Sequence, residues 1–387
     1  MLVSLVSFFQ DTASEILYPV LPFFVTGVLG ASPAVLGLIE GLADGTASAM
    51  KAISGRLADL RHRRPLVAAG YTTSAFGKFL LAVAGAWPMV LAARVTDRVG
   101  KGLRGPPRDA IIADDTTRTN RGRAFGFHRA ADTAGAVVGP LIGLGLYELV
   151  GQQFRPLFWI ALIPAAASVA LVFLIRERAH PHRRSERRWS VRGLPRRYWR
   201  LIGVIALFGV VNFPDTLLLL RAKDLGLDFA GVVFVYVLYN TTYALLSYPA
   251  GVVSDRLSRR AVFGVGLLVF SATYLSFGLT TTPSWVWLLL PLYGAYTALT
   301  DGVSRAWVAD LVPAHERGTA LGIHAAVSGF GLLIAGVWAG LAWHGSGHVP
   351  FLVSGVVVVA LAVILLVGGR FFDATPMAAA DVHPPAS

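Results

Sequence analysis

Residues 55–64 decide the fold of this chain, and they read Gly55-Arg56-Leu57-Ala58-Asp59-Leu60-Arg61-His62-Arg63-Arg64. The stretch is a Gly-x-x-x-Asp turn followed by a basic cluster, between two hydrophobic runs. It returns 196 positions later (251 − 55) as Gly251-Val252-Val253-Ser254-Asp255-Arg256-Leu257-Ser258-Arg259-Arg260. A second block keeps this offset, since Asp114, Arg121, Gly122, Ala124, Gly126 and His128 recur as Asp310, Arg317, Gly318, Ala320, Gly322 and His324. Identical residues at one fixed offset indicate two homologous halves.

The composition is that of an integral membrane protein. Of the 387 residues, 55% are hydrophobic and 14% charged, whereas soluble domains carry about 25% charged residues. The net charge of +12 comes largely from arginines in short loops between apolar runs, which is a topological pattern and not a nucleic-acid footprint. The chain has no cysteine, no phosphate-binding loop and no metal-ligand spacing. We therefore predict no cofactor, no metal site and no enzymatic activity.

Apolar runs of spanning length predict twelve transmembrane helices, six in each half. The predicted spans are 2–29, 33–57, 66–86, 88–113, 123–149, 155–175, 201–222, 230–253, 261–281, 284–309, 318–342 and 350–371. The predicted fold is an all-α membrane protein with two pseudo-symmetric six-helix bundles. These bundles occupy 1–175 and 201–371, joined by a basic linker, 176–200, and followed by a disordered tail, 372–387.

Arginines in the short loops predict the orientation of the spans. The even-numbered connections hold Arg61, Arg63 and Arg64, then Arg256 and Arg259, while the odd-numbered ones hold almost none. Because basic loops face the cytoplasm, both termini are expected there. We predict a monomer in the cytoplasmic (inner) membrane of a prokaryote. Its expected partners are the lipid bilayer, protons and a small-molecule substrate, without nucleic acid.

These features resemble the major facilitator superfamily. The six-plus-six spans, the basic linker and the Gly-x-x-x-Asp loops all match its pattern. The loop after the second span resembles the family's motif A at Gly55, Asp59, Arg63 and Arg64. The fifth span resembles its antiporter signature, with Leu144 in place of the final glycine; the matching residues are Gly126, Gly135, Gly139, Pro140 and Gly143. The run 97–114 resembles an uncharacterised prokaryotic branch of the superfamily.

The resemblance implies a gate at the loops and a moving interface on the fifth span. The gate residues would be Gly55, Asp59, Arg63, Arg64, Arg108, Asp114, Gly251, Asp255, Arg259 and Asp310. The alternative for the loops is a topology anchor with a tight turn. The glycines of the fifth span form a smooth ridge at i, i+4 and i+8, which indicates close packing. That ridge is either simple helix packing or a rocking interface against the other half.

Ionisable residues inside the spans are costly in lipid, so each must face protein or water. Asp11 and Glu15 are four residues apart and therefore share one face of the first span. Burial and a neighbouring carboxylate both favour the protonated form of a carboxyl group, as a proton carrier requires. The predicted proton-coupling residues are Asp11, Glu15, Glu40, Asp44 and Asp132. The alternative is a self-neutralising ion-pair network.

The second half is poorer in charge inside its spans and is expected to supply polar and aromatic contacts to the substrate. The predicted substrate-binding residues are Tyr18, Lys78, Arg94, Arg98, Lys101, Arg129, Asn212, Asp215, Tyr239, Asn240 and Tyr243. The predicted function is proton-coupled efflux of a small organic solute or drug by alternating access. Two alternatives stay open: proton-coupled uptake of an anionic organic solute, and a membrane receptor or scaffold without transport.

Overall fold

The structure is a computed structural model, and it describes residues 2–60, 62–114, 121–175, 194–312 and 317–368. These residues are almost entirely helical, and none of them forms a strand. Most of the predicted linker and the whole predicted tail lie outside the described residues. We call residues 2–175 the first half and residues 194–368 the second half. The end at which residues 60–63 and 256–259 lie is called the linker end.

Each predicted span of the first half contains a helix. The helices are α1 (Leu2–Leu17), α2 (Pro33–Leu60), α3 (Arg63–Ala82), α4 (Trp87–Asp114), α5 (Arg121–Leu149) and α6 (Phe154–Val172). The first span continues beyond α1 through a short turn, Val20–Pro22, and a π-helical segment, Phe23–Val28. Pro19 and Pro22 lack the N–H groups that a continuous α-helix requires, which accounts for the change of helix type.

The second half has one more helix than predicted, because the seventh span is broken. Its helices are α7 (Arg196–Gly209), α8 (Asp215–Asp224), α9 (Phe229–Arg256), α10 (Arg259–Leu279), α11 (Val286–Leu311), α12 (Arg317–Leu341) and α13 (His348–Val367).

Pro214 explains the break between α7 and α8. Proline has no N–H and disfavours helical geometry in the residue before it. The freed carbonyl of Val210 accepts a hydrogen bond of 2.6 Å from Trp338 Nε1, and the Asn212 side chain donates to the Tyr296 hydroxyl. The backbone carbonyl at the break is thus satisfied from α12, and the neighbouring Asn212 side chain is bound from α11. As a result Asp215 occupies the first position of α8, where the helix dipole favours a negative charge.

The exterior of the molecule is apolar, and the polar groups face inward. Five of the described helices are long and apolar enough to cross a membrane: Phe154–Val172, Phe229–Arg256, Arg259–Leu279, Thr319–Leu341 and His348–Val367. Large apolar side chains such as Ile163, Leu245 and Phe330 are exposed by 64–70%. The helices α2 and α4 are less apolar because they contain the buried charges described below.

The two halves meet at the end opposite the linker end. α2 packs closely on α12, and α5 packs on α9. A Cβ on Gly37 would lie 2.0 Å from the carbonyl oxygen of Gly336, so the two backbones touch. Two more contacts join the halves. Phe23 packs on Phe229 with ring centroids 5.4 Å apart, and Lys223 Nζ donates to Thr26 Oγ1 at 3.0 Å.

The glycine ridge of α5 packs against α1, within the same half. A Cβ on Gly135 would lie 3.2 Å from Asp11 Cβ, and one on Gly139 would lie 2.8 Å from Glu15 Cβ. A Cβ on Gly143 would lie 2.9 Å from the backbone carbonyl oxygen of Ile16. In the described conformation the ridge therefore packs within its own half, as the simple-packing interpretation predicts. This close packing holds the part of α1 that contains Asp11 and Glu15 against α5.

Candidate transport site

A cavity of about 340 Å³ lies between the two halves. Residues from α2, α7, α8, α9, α10, α11 and α12 line it together with Tyr18, which follows α1, and the second half provides most of the wall. Three carboxylates are in the lining: Asp44 of α2, Asp215 of α8 and Asp301 of α11. Gly37 of α2 contacts Gly336 of α12, and both glycines lie further from the linker end than the residues of the same two helices that line the cavity. The cavity therefore lies on the linker side of the contact between the halves.

Two of the three cavity carboxylates have a basic partner. Arg98 Nε lies 3.1 Å from Asp44 Oδ1, and Arg305 lies 2.6 Å from Asp301 Oδ1. Asp215 differs, because its oxygens accept hydrogen bonds from the hydroxyls of Tyr293 at 2.8 Å and Tyr239 at 3.0 Å. Within the described part of the chain no basic group lies within 4 Å of Asp215. Its charge thus lacks a counter-ion among the residues that the structure describes.

Five tyrosines form a continuous row from α1 to α11, which we call the tyrosine ladder: Tyr18, Tyr236, Tyr239, Tyr293 and Tyr296. Consecutive ring centroids along this row are 5.3, 5.8, 5.4 and 5.0 Å apart. Such spacing is typical of favourable aromatic pairs. The ladder crosses from the first half to the second half between Tyr18 and Tyr236.

Glu15 is hydrogen-bonded across the two halves. Its Oε2 accepts from the Tyr236 hydroxyl at 2.8 Å. Tyr236 belongs to the tyrosine ladder, whose members Tyr239 and Tyr293 bind Asp215. The ladder therefore connects a carboxylate of the first half with one of the second half. Asp11, one turn closer to the linker end, instead lies 4.0 Å from Arg104.

A buried ion cluster joins α2, α3 and α4, and it contains three acids and three bases: Glu40, Asp44, Asp97, Lys78, Arg94 and Arg98. Arg94 donates to both oxygens of Glu40 at 2.7 Å. Asp97 lies 3.0 Å from Lys78 Nζ and 3.9 Å from Arg94. Glu40 is fully buried and Arg94 nearly so. Because every member has an oppositely charged partner, the cluster favours the ion-pair alternative for these residues.

A second polar group lies nearer the linker end. Arg108 contacts Asp109 at 3.0 Å, Ser7 at 3.1 Å and Asp132 at 3.9 Å. His128 Nε2 lies 3.6 Å from Asp132 as well. Asp132, predicted to couple protons, is thus a centre of ionic contacts between α4 and α5.

The predicted substrate residues separate into several groups. Those in the cavity lining are Tyr18, Asn212, Asp215 and Tyr239. Lys78, Arg94 and Arg98 have carboxylates of the ion cluster as partners, so the cluster, and not the substrate, occupies them in this conformation. Asn240 donates to a carbonyl of its own helix, and Tyr243 donates to Asp301. The side chain of Arg129 lies outside the described residues.

The predicted gate is described mainly in the second half. Arg259 pairs with Asp310 and lies 3.2 Å from Asp255, joining α9, α10 and α11. Gly251 has no neighbour within 4 Å of a Cβ built on it, so no close approach explains this glycine. A Cβ on Gly55 would lie 3.8 Å from Pro106 Cβ, which is an ordinary van der Waals distance. In the first half Arg64 donates to the carbonyl of Phe173. The side chains of Asp59 and Asp114, and the surroundings of Gly126, lie outside the described residues.

Three residues of this site, Tyr236, Tyr293 and Tyr296, are absent from the predicted set. A signal for the first exists, because Tyr236, Tyr239 and Tyr243 recur at spacings of three and four and so share one face of α9. Tyr293 and Tyr296 are also three apart. Their joint role depends on the packing of α9 against α11, which the chain order does not reveal.

Comparison with known proteins agrees with this arrangement. The family model described as Major Facilitator Superfamily matches residues 3–236 and 201–382. An uncharacterised MFS-type transporter of Methanocaldococcus jannaschii is 32% identical over 373 residues, covering 94% of this chain and 93% of that protein. The multidrug resistance protein MdtH of Edwardsiella ictaluri is 26% identical over 341 residues, covering 86% and 81%. The solved nucleoside transporter NupG has a TM-score of 0.82 at 14% identity, covering 96% of this chain and 99% of that one.

The matching family and its relatives are membrane transporters and not enzymes, and the apolar exterior and polar cavity of the described residues agree with that class. The chain belongs to the major facilitator superfamily. This membership confirms the predicted family.

Proposed function

We propose that this chain is a secondary active transporter that exchanges protons for a small organic solute across the cytoplasmic membrane of a prokaryote. In this proposal twelve spans form two six-helix bundles, with both termini in the cytoplasm. The broken pair α7 and α8 counts as one span. The similarity to MdtH, a multidrug resistance protein, supports efflux as the direction.

The cross-half bond between Glu15 and Tyr236 is the observation on which proton coupling rests. A carboxylate accepts this hydrogen bond, whereas a protonated carboxyl group has one acceptor site fewer and a proton of its own to donate. Protonation of Glu15 therefore changes a contact between the two halves. Asp11 lies between this position and the linker end and would relay protons to it. Buried carboxylates linked to a moving interface are the usual elements of proton relays.

The arrangement of contacts favours alternating access with the cavity facing the cytoplasm in this conformation. The halves touch at the end opposite the linker end, and Arg305 on the linker side of the cavity is exposed by 54%. If the linker end is cytoplasmic, as its arginines favour, the described conformation is open inward. Transport would then require the α2–α12 contact to open and the linker end to close.

Reconstitution into liposomes tests the coupling. We would follow ethidium exchange and internal pH under an imposed pH gradient, for the wild type and for Asp11→Asn combined with Glu15→Gln. We expect ethidium and protons to move in opposite directions in the wild type, and the double variant to lose this coupling. Asp228→Asn is the matched control, since Asp228 is an exposed N-cap of α9 and asparagine caps equally well. Full coupling in the double variant would contradict the assignment.

Uptake of an anionic solute is the second candidate, and two lysines favour it. Lys51 of α2 and Lys101 of α4 have no carboxylate within 4 Å in the described part of the chain. Lys51 interacts electrostatically with both Lys101 and Arg305, so basic groups of both halves approach one another. Carboxyfluorescein separates the candidates: proton-driven accumulation of this anion by the wild type, without ethidium exchange, would favour uptake.

A further inference from the structure

The geometry points to a cation-binding site at Asp215, which takes a protonated amine joined to an apolar or aromatic group. This inference rests on the proposed transport function and names the substrate class that the cavity recognises. The site is formed by Asp215, the ladder residues Tyr239 and Tyr293, and Asn212. All four are in the second half.

Charge is the first argument for this site. Of the three cavity carboxylates, Asp44 and Asp301 are neutralised by arginines, and Asp215 is not. Its strongest electrostatic partners include Asp44 and Glu40, which are themselves carboxylates. A carboxylate removed from water without a counter-ion is costly, and a bound cation relieves that cost.

Free acceptor capacity is the second argument. An ionised carboxylate accepts about four hydrogen bonds, and two from tyrosine hydroxyls are present at Asp215. Asn212, which lines the same cavity, has its amide nitrogen bound to Tyr296 while its Oδ1 has no partner among the described residues. Unused acceptors without matching donors select a ligand with N–H groups, so a protonated amine fits better than a quaternary ammonium.

The aromatic lining is the third argument. The tyrosine ladder and two phenylalanines, Phe208 and Phe263, line or border the same space. Aromatic faces attract cations and also pack against aromatic ligands. A cavity of about 340 Å³ limits the ligand to a small molecule. The free lysines Lys51 and Lys101 are absent from this lining.

Four ligands with one phenylpropyl skeleton test the inference: the primary amine, the trimethylammonium, the alcohol and the carboxylate. Binding to purified wild-type protein in detergent would be measured by calorimetry. We expect the primary amine to bind at least tenfold more tightly than the alcohol, the trimethylammonium to lie between them, and the carboxylate to bind most weakly. Tighter binding of the carboxylate or the alcohol than of the amine would overturn the inference without any variant.

Variants then locate the site. Asp215→Asn is expected to weaken binding of the amine at least tenfold, Asp215→Glu to retain most of it, and Asp228→Asn to change it less than twofold. Wild-type affinity in Asp215→Asn would overturn the assignment, and the melting temperature of each variant shows whether it folds. Because binding in detergent requires no transport, Asp215-dependent amine binding without ethidium exchange would reject the proposed function and keep this site. Proton-coupled ethidium exchange without Asp215-dependent amine binding would do the reverse.

Discussion

The two halves of the molecule handle buried polarity in different ways. The first half packs oppositely charged side chains against each other, as Arg94 and Glu40 show. The second half surrounds an unpaired carboxylate, Asp215, with tyrosine hydroxyls. An ion pair satisfied within the protein stabilises the structure and has little capacity left for a ligand, whereas a carboxylate bound only by neutral donors keeps its charge available. This difference agrees with our proposals, in which the first half carries protons and the second half recognises the substrate.

Breaking the ion cluster should have the largest effect. Arg94→Met leaves Glu40 charged, fully buried and without its bidentate partner, so we expect a loss of about 3–5 kcal/mol in stability. Thermal unfolding in detergent measures this. Arg94→Met combined with Glu40→Gln removes both charges and should recover most of the loss. If the single variant melts like the wild type, the first half does not depend on this cluster.

The second-largest effect is expected at the hydrogen bond between Tyr236 and Glu15, which joins the two halves. Tyr236→Phe removes the hydroxyl that Glu15 accepts from, and a hydrogen bond to a charged group contributes roughly 1.5–3 kcal/mol. We expect the population of the described conformation to fall. The chain has no cysteine, so spin labels at His62→Cys and Leu257→Cys report the distance between the halves at the linker end. Tyr248→Phe, on an exposed tyrosine of the same helix, is the control, and an identical distance distribution in Tyr236→Phe would refute the link.

A third change acts on the contact between the halves without touching any charge. Gly37→Ala places a methyl group 2.0 Å from the Gly336 carbonyl oxygen, and overpacking of this kind costs about 1–3 kcal/mol. The same spin-label pair should report a shift away from the described conformation, by roughly 5- to 150-fold in the equilibrium. Gly203→Ala, where nothing lies within 4 Å, should leave the distances as they are.

The smallest effect is expected at an exposed ion pair of the second half. Asp255→Asn removes a partner of Arg259, but Asp255 is 69% exposed and Arg259 keeps Asp310. Exposed pairs contribute about 0.2–1 kcal/mol, so the melting temperature should change little. A loss of stability as large as that expected for Arg94→Met would show that the two halves do not differ in this way.

Most of the fold could be predicted from the sequence, because the lengths of the apolar runs and the internal repeat can both be read directly from the order of the residues. Every predicted span contains a helix in the structure, and Pro214 alone could have indicated the break before α8. The partners could not be predicted in the same way. The spacing of Asp11 and Glu15 placed them on one face of α1, yet one approaches Arg104 and the other Tyr236. Spacing along a helix gives a shared face, while the identity of the facing helix depends on packing between residues more than 90 positions apart.

The contact between α2 and α12 has a consequence for the cost of conformational change. At Gly37 and Gly336 the halves touch through peptide backbone whose hydrogen bonds are already made within each helix. No ion pair or side-chain hydrogen bond has to break at these glycines when the helices separate. Opening this contact therefore gives up dispersion attraction and not charge pairing, and its cost depends on the number of packed atom pairs along the two helices.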